Sequence, residues 1–179
     1  LPTEEDADVE ATAALLLDLK KATPGLRLTL GVSSFVPKAH TPFQWQGVRP
    51  EAEKRLKLLA KRLKPKGIEL RPESYGWSVI QALLSRSDRR LAPVIAAARG
   101  RHESLGGWKQ AYRAVREQSS GPESPPAWEE VIHASWSPGR VLPWEHLEGP
   151  LPKATLAHHQ AGALTQTPPC GPDRPSPGA

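Results

Sequence analysis

Leu26-Arg27-Leu28-Thr29-Leu30-Gly31-Val32 runs directly into Ser33-Ser34-Phe35-Val36-Pro37-Lys38-Ala39-His40-Thr41-Pro42-Phe43-Gln44-Trp45. The fold turns on this stretch. Leucine recurs at every second position from Leu26 to Leu30, the period of a strand with one buried face. The reading is a strand over 26–32 that ends in a long polar and aromatic loop. That loop, Ser33–Arg49, has seventeen residues, whereas a connection from strand to helix usually takes about 2–6.

Working outward, the segment before the strand reads as a helix. Thr3 is its expected N-cap, and Glu4, Glu5, Asp6 and Asp8 crowd the first turns, where the helix dipole favours negative charge. Val9, Ala13, Leu16 and Leu17 follow helical spacing, and Pro24-Gly25 stops the run. After the loop, Pro50 opens a second helix with Leu56, Leu59, Ala60 and Leu63 on one face, closed by Pro65-Lys66-Gly67. A short strand follows over 68–71. Three short helices are predicted over 75–85, 91–99 and 107–118, with a fourth over 127–136. Helix, strand, loop, helix, strand is the rhythm of a layered or barrel α/β fold, in which ligands bind beyond the C-terminal ends of the strands.

Composition divides the chain. Eight of the 20 prolines precede Gly121 and twelve follow it, which disfavours long helices and central strands in the last third. Gly121–Pro126 reads as a linker. The expected organisation is 1–72 for the α/β units, 73–120 for a helical subdomain, 121–164 for a Trp- and Pro-rich extension and 165–179 for a disordered tail. The chain starts at Leu1 and holds no Met, as expected of a piece of something longer. One Cys excludes an internal disulfide framework. No run of about 18 apolar residues is present, so no membrane partner is expected and the cytoplasm is the expected compartment. The net charge of +5 permits an anionic partner.

Several groups of residues have two readings. In the long loop, prolines and aromatics build flat rigid walls around the polar heads of Lys38, His40 and Gln44. The loop is either a binding feature or a packed cap. The helix over 49–66 carries eight cations and two acids. It is either a patch for nucleic acid or a solvated outer face. In Ser85-Arg86-Ser87-Asp88-Arg89-Arg90, Asp88 caps a helix or an arginine binds an anion. His133, His146, His158, His159 and Cys170 match no zinc spacing, so no metal ligand is assigned. Trp128, Trp136 and Trp144 lie eight residues apart and look like anchors for irregular backbone.

Four segments together resemble a known family. Phe35-Val36-Pro37-Lys38-Ala39-His40-Thr41-Pro42-Phe43-Gln44-Trp45 resembles the Phe-Val-Pro-Lys-Pro-His-Thr-Pro-Phe-Gln-Trp signature of radical S-adenosylmethionine proteins that contain a B12-binding domain, departing from it at Ala39. Leu84-Ser85-Arg86-Ser87-Asp88-Arg89-Arg90 is similar to that family's Leu-Ser-Arg-Gly-Asp-Arg-Arg, with Ser87 in the place of the glycine. Leu142-Pro143-Trp144-Glu145-His146-Leu147 is similar to its Leu-Pro-Trp-Asp-His-Ile. Leu1-Pro2-Thr3-Glu4-Glu5-Asp6 resembles the end of one of its late strands. The four occur in the family's order.

The resemblance implies the C-terminal part of a partial (β/α) TIM-like barrel, followed by a helical and irregular Pro-rich extension. It implies that an upstream part of the same polypeptide carries the Cys-x-x-x-Cys-x-x-Cys loop of a 4Fe–4S cluster, with S-adenosylmethionine on the cluster and cobalamin as a candidate further cofactor. In this chain Val32, Ser33, Ser34 and Phe35 would then contact the cofactor. Lys38, His40, Phe43, Gln44 and Trp45 would line the pocket of an unknown substrate. The rival is a nucleic-acid module built on helix 49–66. Lacking the three-cysteine loop, the isolated chain is expected to be inert. Anaerobic reconstitution with iron and sulfide should give no 4Fe–4S absorbance, and a stoichiometric cluster would refute that expectation.

Overall fold

A computed structural model describes residues 1–100 and 104–165. Helix α1 spans Asp6–Ala22, strand β1 Thr29–Val32, helix α2 Glu51–Leu63 and strand β2 Glu69–Pro72. Then come α3 (Tyr75–Arg86), α4 (Ala92–Ala98), α5 (Leu105–Gln118), α6 (Trp128–Ile132) and α7 (Lys153–Thr165).

The two strands run parallel, Thr29 opposite Glu69 and Val32 opposite Pro72, with α2 as the crossover between them. The period-two reading of Leu26–Val32 locates β1 and overextends it by three residues at the start. On one face of the pair, Leu28, Leu30 and Leu70 pack with Ala13 of α1 and Leu59 and Leu63 of α2. Each fully buried leucine contributes about 1.5–3 kcal/mol. Gly67, at φ +73°, takes the left-handed conformation that ends the short 3-10 turn after α2 and lets the chain enter β2.

The expected barrel is overturned. The described residues hold two strands, which close no barrel. The face turned away from the helices, where a barrel packs branched apolar side chains, carries Thr29, Gly31, Glu69 and Arg71. Glu69 there bonds Arg71 at 2.9 Å, and both Thr29 and Arg71 are exposed. Helices dominate the rest of the described residues. Alternation of α and β in the first 72 residues does not continue past β2.

The second core gathers α3, α4, α5 and α6. Val79, Ala82, Leu83, Val94, Ala111, Val131 and Ile132 pack with Val48 of the long loop. A third cluster joins Trp45 to Trp136, Leu142, Trp144 and Leu156, so Trp136 and Trp144 are the anchors their spacing suggests. Trp128 packs on the second core, edge-on to Tyr112 at 5.2 Å. The Gly121–Pro126 segment is fastened to the helices: the Tyr112 hydroxyl donates to the Pro126 carbonyl at 2.8 Å.

Two local expectations need revision. Helix α1 is capped at Glu5, whose backbone N–H donates to the Asp8 carboxylate at 2.7 Å, rather than at Thr3. Helix α7 lies where the prolines argued against a long helix. Pro150 and Pro152 precede its first residue, and only Leu156 and Gln160 are buried, so it has no apolar stripe to announce it. The expected disordered tail, apart from Thr165 at the end of α7, lies outside the described residues, as does Cys170.

The long loop is stitched to the chain after α6. The Val48 N–H donates to the Ile132 carbonyl at 2.8 Å and the Trp136 N–H to the Trp45 carbonyl at 2.7 Å. A Cβ on Gly47 would lie 2.1 Å from the His133 carbonyl oxygen. Gly47→Ala is therefore expected to cost about 3 kcal/mol by forcing these backbones apart. Leu63→Ala, in the α1–α2 core, should cost about 2–5 kcal/mol. Urea denaturation of each variant checks both; an unchanged midpoint for Gly47→Ala would disprove the close approach.

Candidate functional site

A cavity of about 210 Å³ opens at the C-terminal end of β1. Its floor is Leu30 and Val32 of the strand and Ser33, Ser34 and Phe35 of the loop. One wall is α2, through Ala52, Arg55, Leu56 and Leu59; the other is α1, through Asp8, Val9 and Thr12. Leu1, Pro2 and Glu4 border it. Spacings of three and four residues put each wall on a single helix face.

Cations of α2 and of the residue pair before it hold the N-terminal segment in place. Arg49 donates to the Pro2 carbonyl at 2.8 Å. Arg55 donates to the Glu4 carbonyl at 2.6 Å and to the Asp6 carboxylate at 2.8 Å. Farther along, Arg62 meets Glu10 at 2.8 Å. Two guanidiniums of the cationic run, Arg55 and Arg62, are thus spent on acids of α1 and a third, Arg49, on the backbone before it, which explains why a basic and an acidic helix lie side by side. Exposed pairs of this kind contribute about 0.2–1 kcal/mol each, and Arg55, with only 16% of its side chain exposed, is the best shielded. Lys57 is paired within α2, to Glu53.

The chemistry of the cavity is mixed. Leucine, valine and phenylalanine supply apolar walls. Glu4 and Asp8 supply negative charge, and Arg49 and Arg55 positive charge. The Ser34 hydroxyl is buried and has no hydrogen-bond partner. Leaving such a group unpaired costs about 1–3 kcal/mol, a cost that a polar ligand atom would remove.

The sequence-selected residues separate into two places. Val32, Ser33, Ser34 and Phe35 all line this cavity. Lys38, His40, Phe43, Gln44 and Trp45 do not. Lys38 is exposed. Phe43 stands edge-on to Phe35 at 5.9 Å. Trp45 is wholly buried in the tryptophan cluster. Gln44 is 2% exposed, and its Oε1 accepts from the Trp144 indole at 2.9 Å and from the His40 N–H at 3.0 Å. His40 and Gln44 border a second, open depression with Leu142, Trp144 and Glu145. His133 Nδ1 lies 2.7 Å from the Val48 carbonyl, while His146, His158 and His159 are exposed.

The two helical walls carry no motif in the sequence. By sequence alone Asp8 is a charge at a helix start, and Arg49 and Arg55 are members of a charge run. The face shared by Ala52, Arg55, Leu56 and Leu59 was the available signal.

No family model matches the chain, and no solved structure matches it. An uncharacterized protein of Methanocaldococcus jannaschii is 30% identical over 92 residues, which are 51% of this chain and 20% of that protein. The chain thus spans about a fifth of the length of the curated relative it matches. Among the described residues, no helix is long and apolar enough to cross a membrane.

Gln44 provides a direct test of what the loop motif does. Gln44→Leu strands the Trp144 N–H and the His40 N–H, and is expected to lower stability by about 2–4 kcal/mol. Thermal unfolding followed by tryptophan fluorescence reads this; a polar head kept only for a ligand would leave the midpoint unmoved.

Proposed function

We propose that this chain is the C-terminal portion of a radical S-adenosylmethionine, iron–sulfur enzyme, and that the cavity beyond β1 takes part of the S-adenosylmethionine. One observation carries the reading. Val32, Ser33, Ser34 and Phe35, the four residues that the family resemblance assigns to the cofactor, line one cavity together with an unpartnered buried hydroxyl.

The fit to S-adenosylmethionine is chemical and partial. The ligand carries an aromatic base, a ribose, a sulfonium, an ammonium and a carboxylate. Leu30, Val32, Phe35 and Leu56 offer apolar walls to the base, and Ser34 offers a hydroxyl to the ribose. Glu4 and Asp8 attract the positive groups, while Arg49 and Arg55 attract the carboxylate. At about 210 Å³ the cavity falls below the roughly 300–1,000 Å³ of sites that enclose a whole ligand of this size. The upstream part of the same polypeptide would supply the remaining contacts. Bound to a cluster held upstream, S-adenosylmethionine would supply the radical chemistry, and the residues of this chain would supply shape and charge around it.

Neither cluster nor cofactor chemistry is assigned to residues of this chain alone, and cobalamin is proposed only as a further cofactor of the whole enzyme. Leu15, Leu19 and Leu26 are exposed on and after α1, and among the described residues no further strand pairs with either edge of the parallel pair. These surfaces suit docking against the upstream part, since parallel pairs are normally covered. The proposed compartment is the cytoplasm.

The test uses the whole reading frame. It should encode Cys-x-x-x-Cys-x-x-Cys upstream of Leu1, and the full-length protein reconstituted anaerobically should cleave S-adenosylmethionine. Ser34→Phe, which fills the cavity, should abolish S-adenosylmethionine binding and leave the cluster absorbance intact. A frame without that motif, or wild-type binding by Ser34→Phe, would sink the proposal.

A further inference from the structure

A further cavity, of about 190 Å³, lies between the end of α3 and the chain after α6. Its central side chain is Arg86, the last residue of α3, which is 1% exposed. A buried guanidinium ordinarily pairs with a carboxylate. Arg86 does not. Its Nη1 donates to the Ile132 carbonyl at 3.1 Å and its Nη2 to the Ala134 carbonyl at 2.9 Å, while its Nε is buried with no partner. Two neutral carbonyls leave the positive charge uncompensated.

The surroundings sharpen that deficit. The Arg86 guanidinium lies 3.8 Å from the centre of the Trp136 ring, and the Arg140 guanidinium lies 4.5 Å from the same ring. Two cations thus crowd one indole. Burial and the charge of Arg140 together pull the Arg86 pKa down to about 10. Arg86 and Arg140 both line the cavity. Two carboxylates lie near, and both are held by other cations: Asp88 by Arg90, whose Nε and Nη2 reach it at 2.9 and 2.7 Å, and Glu130 by Arg140 at 2.8 Å; neither pairs with Arg86.

We propose that this cavity binds a small oxyanion, a phosphate or carboxylate group, which supplies the counter-charge that buried Arg86 lacks among the described residues. Guanidinium groups suit both, since their N–H fork matches the oxygens of either. The volume fits such a group free or at the end of a larger molecule. The Ser87 hydroxyl lines the same space and is available as a further donor. The inference is independent of the S-adenosylmethionine reading, because the two cavities share no residue.

Calorimetric titration of the full chain with inorganic phosphate, and separately with acetate, decides it at an ionic strength fixed with chloride. Saturable binding of at least one anion is expected, with a change in tryptophan fluorescence as it meets the Trp136 environment. Phosphate binding more tightly assigns the site to phosphoryl groups, and acetate binding more tightly assigns it to carboxylates. Arg140→Gln should weaken binding about tenfold, Arg86→Met should abolish it, and Lys61→Gln on the exposed side of α2 should leave it unchanged. If Arg86→Met fails to fold, Arg140→Gln still decides. No saturable binding of either anion, or equal binding by Arg140→Gln and wild type, overturns the proposal and leaves Arg86 as a clip on two carbonyls.

Discussion

The backbone of residues 132–136 is held from two sides, and the rest of the molecule is organised around that clamp. From one side the long loop reaches it, Val48 N–H to the Ile132 carbonyl and the Trp45 carbonyl to the Trp136 N–H. From the other side Arg86 gives two guanidinium hydrogens to the carbonyls of Ile132 and Ala134. Buried backbone polar groups must be paired; the His133 and Ala134 N–H groups still donate back to the Glu129 carbonyl of α6, but the Ile132 and Ala134 carbonyls and the Trp136 N–H take their partners from outside the helix. The loop and the arginine substitute for a ladder. Gly47 is required because any side chain there would strike the His133 carbonyl.

That clamp gives the long loop two jobs at its two ends. Its first residues, Ser33 to Phe35, leave β1 and border the cavity. Its last, Gln44 to Val48, sink into the helical and tryptophan cores. Both ends are fixed, so the intervening prolines span a set distance rather than a slack one. The edge-on contact of Phe35 with Phe43 ties the ends together. The position of the cavity floor therefore depends on packing at the other end of the loop.

Local elements were legible where one physical signal dominated. The leucine alternation located β1, Pro65-Lys66-Gly67 ended α2, and the apolar spacing of α3 and α5 located both to within about two residues, the usual tolerance at helix ends. Legibility failed where the partner is distant. Nothing between Leu26 and Val32 states how many strands join it, so the barrel rested on resemblance and was overturned by a polar outer face on a two-stranded sheet. Helix α7 has no apolar stripe to announce it: of its two buried residues, Leu156 packs among distant tryptophans and Gln160 is polar. The α2 wall of the cavity was hidden inside a charge run, whose arginines face the acids of α1.

The loop motif shows why a dense group of polar and aromatic residues is a poor guide to chemistry by itself. Gln44 and Trp144 are one hundred positions apart, and neither sequence neighbourhood mentions the other. Seen alone, Gln44 is a free recognition head. Beside the Trp144 indole it is a buried acceptor whose loss strands two donors. The same holds for Ser85, which donates to the Pro37 carbonyl across forty-eight positions. Three of the four segments that resemble the family therefore converge on one another, loop to α3 and loop to the 142–147 turn. A signature can be specific because its members must fit each other, without all of them touching a ligand. By that criterion Val32 to Phe35 are distinguished from the residues after them by lining the cavity beyond β1, and Arg86 by carrying a charge that none of its hydrogen-bond partners cancels.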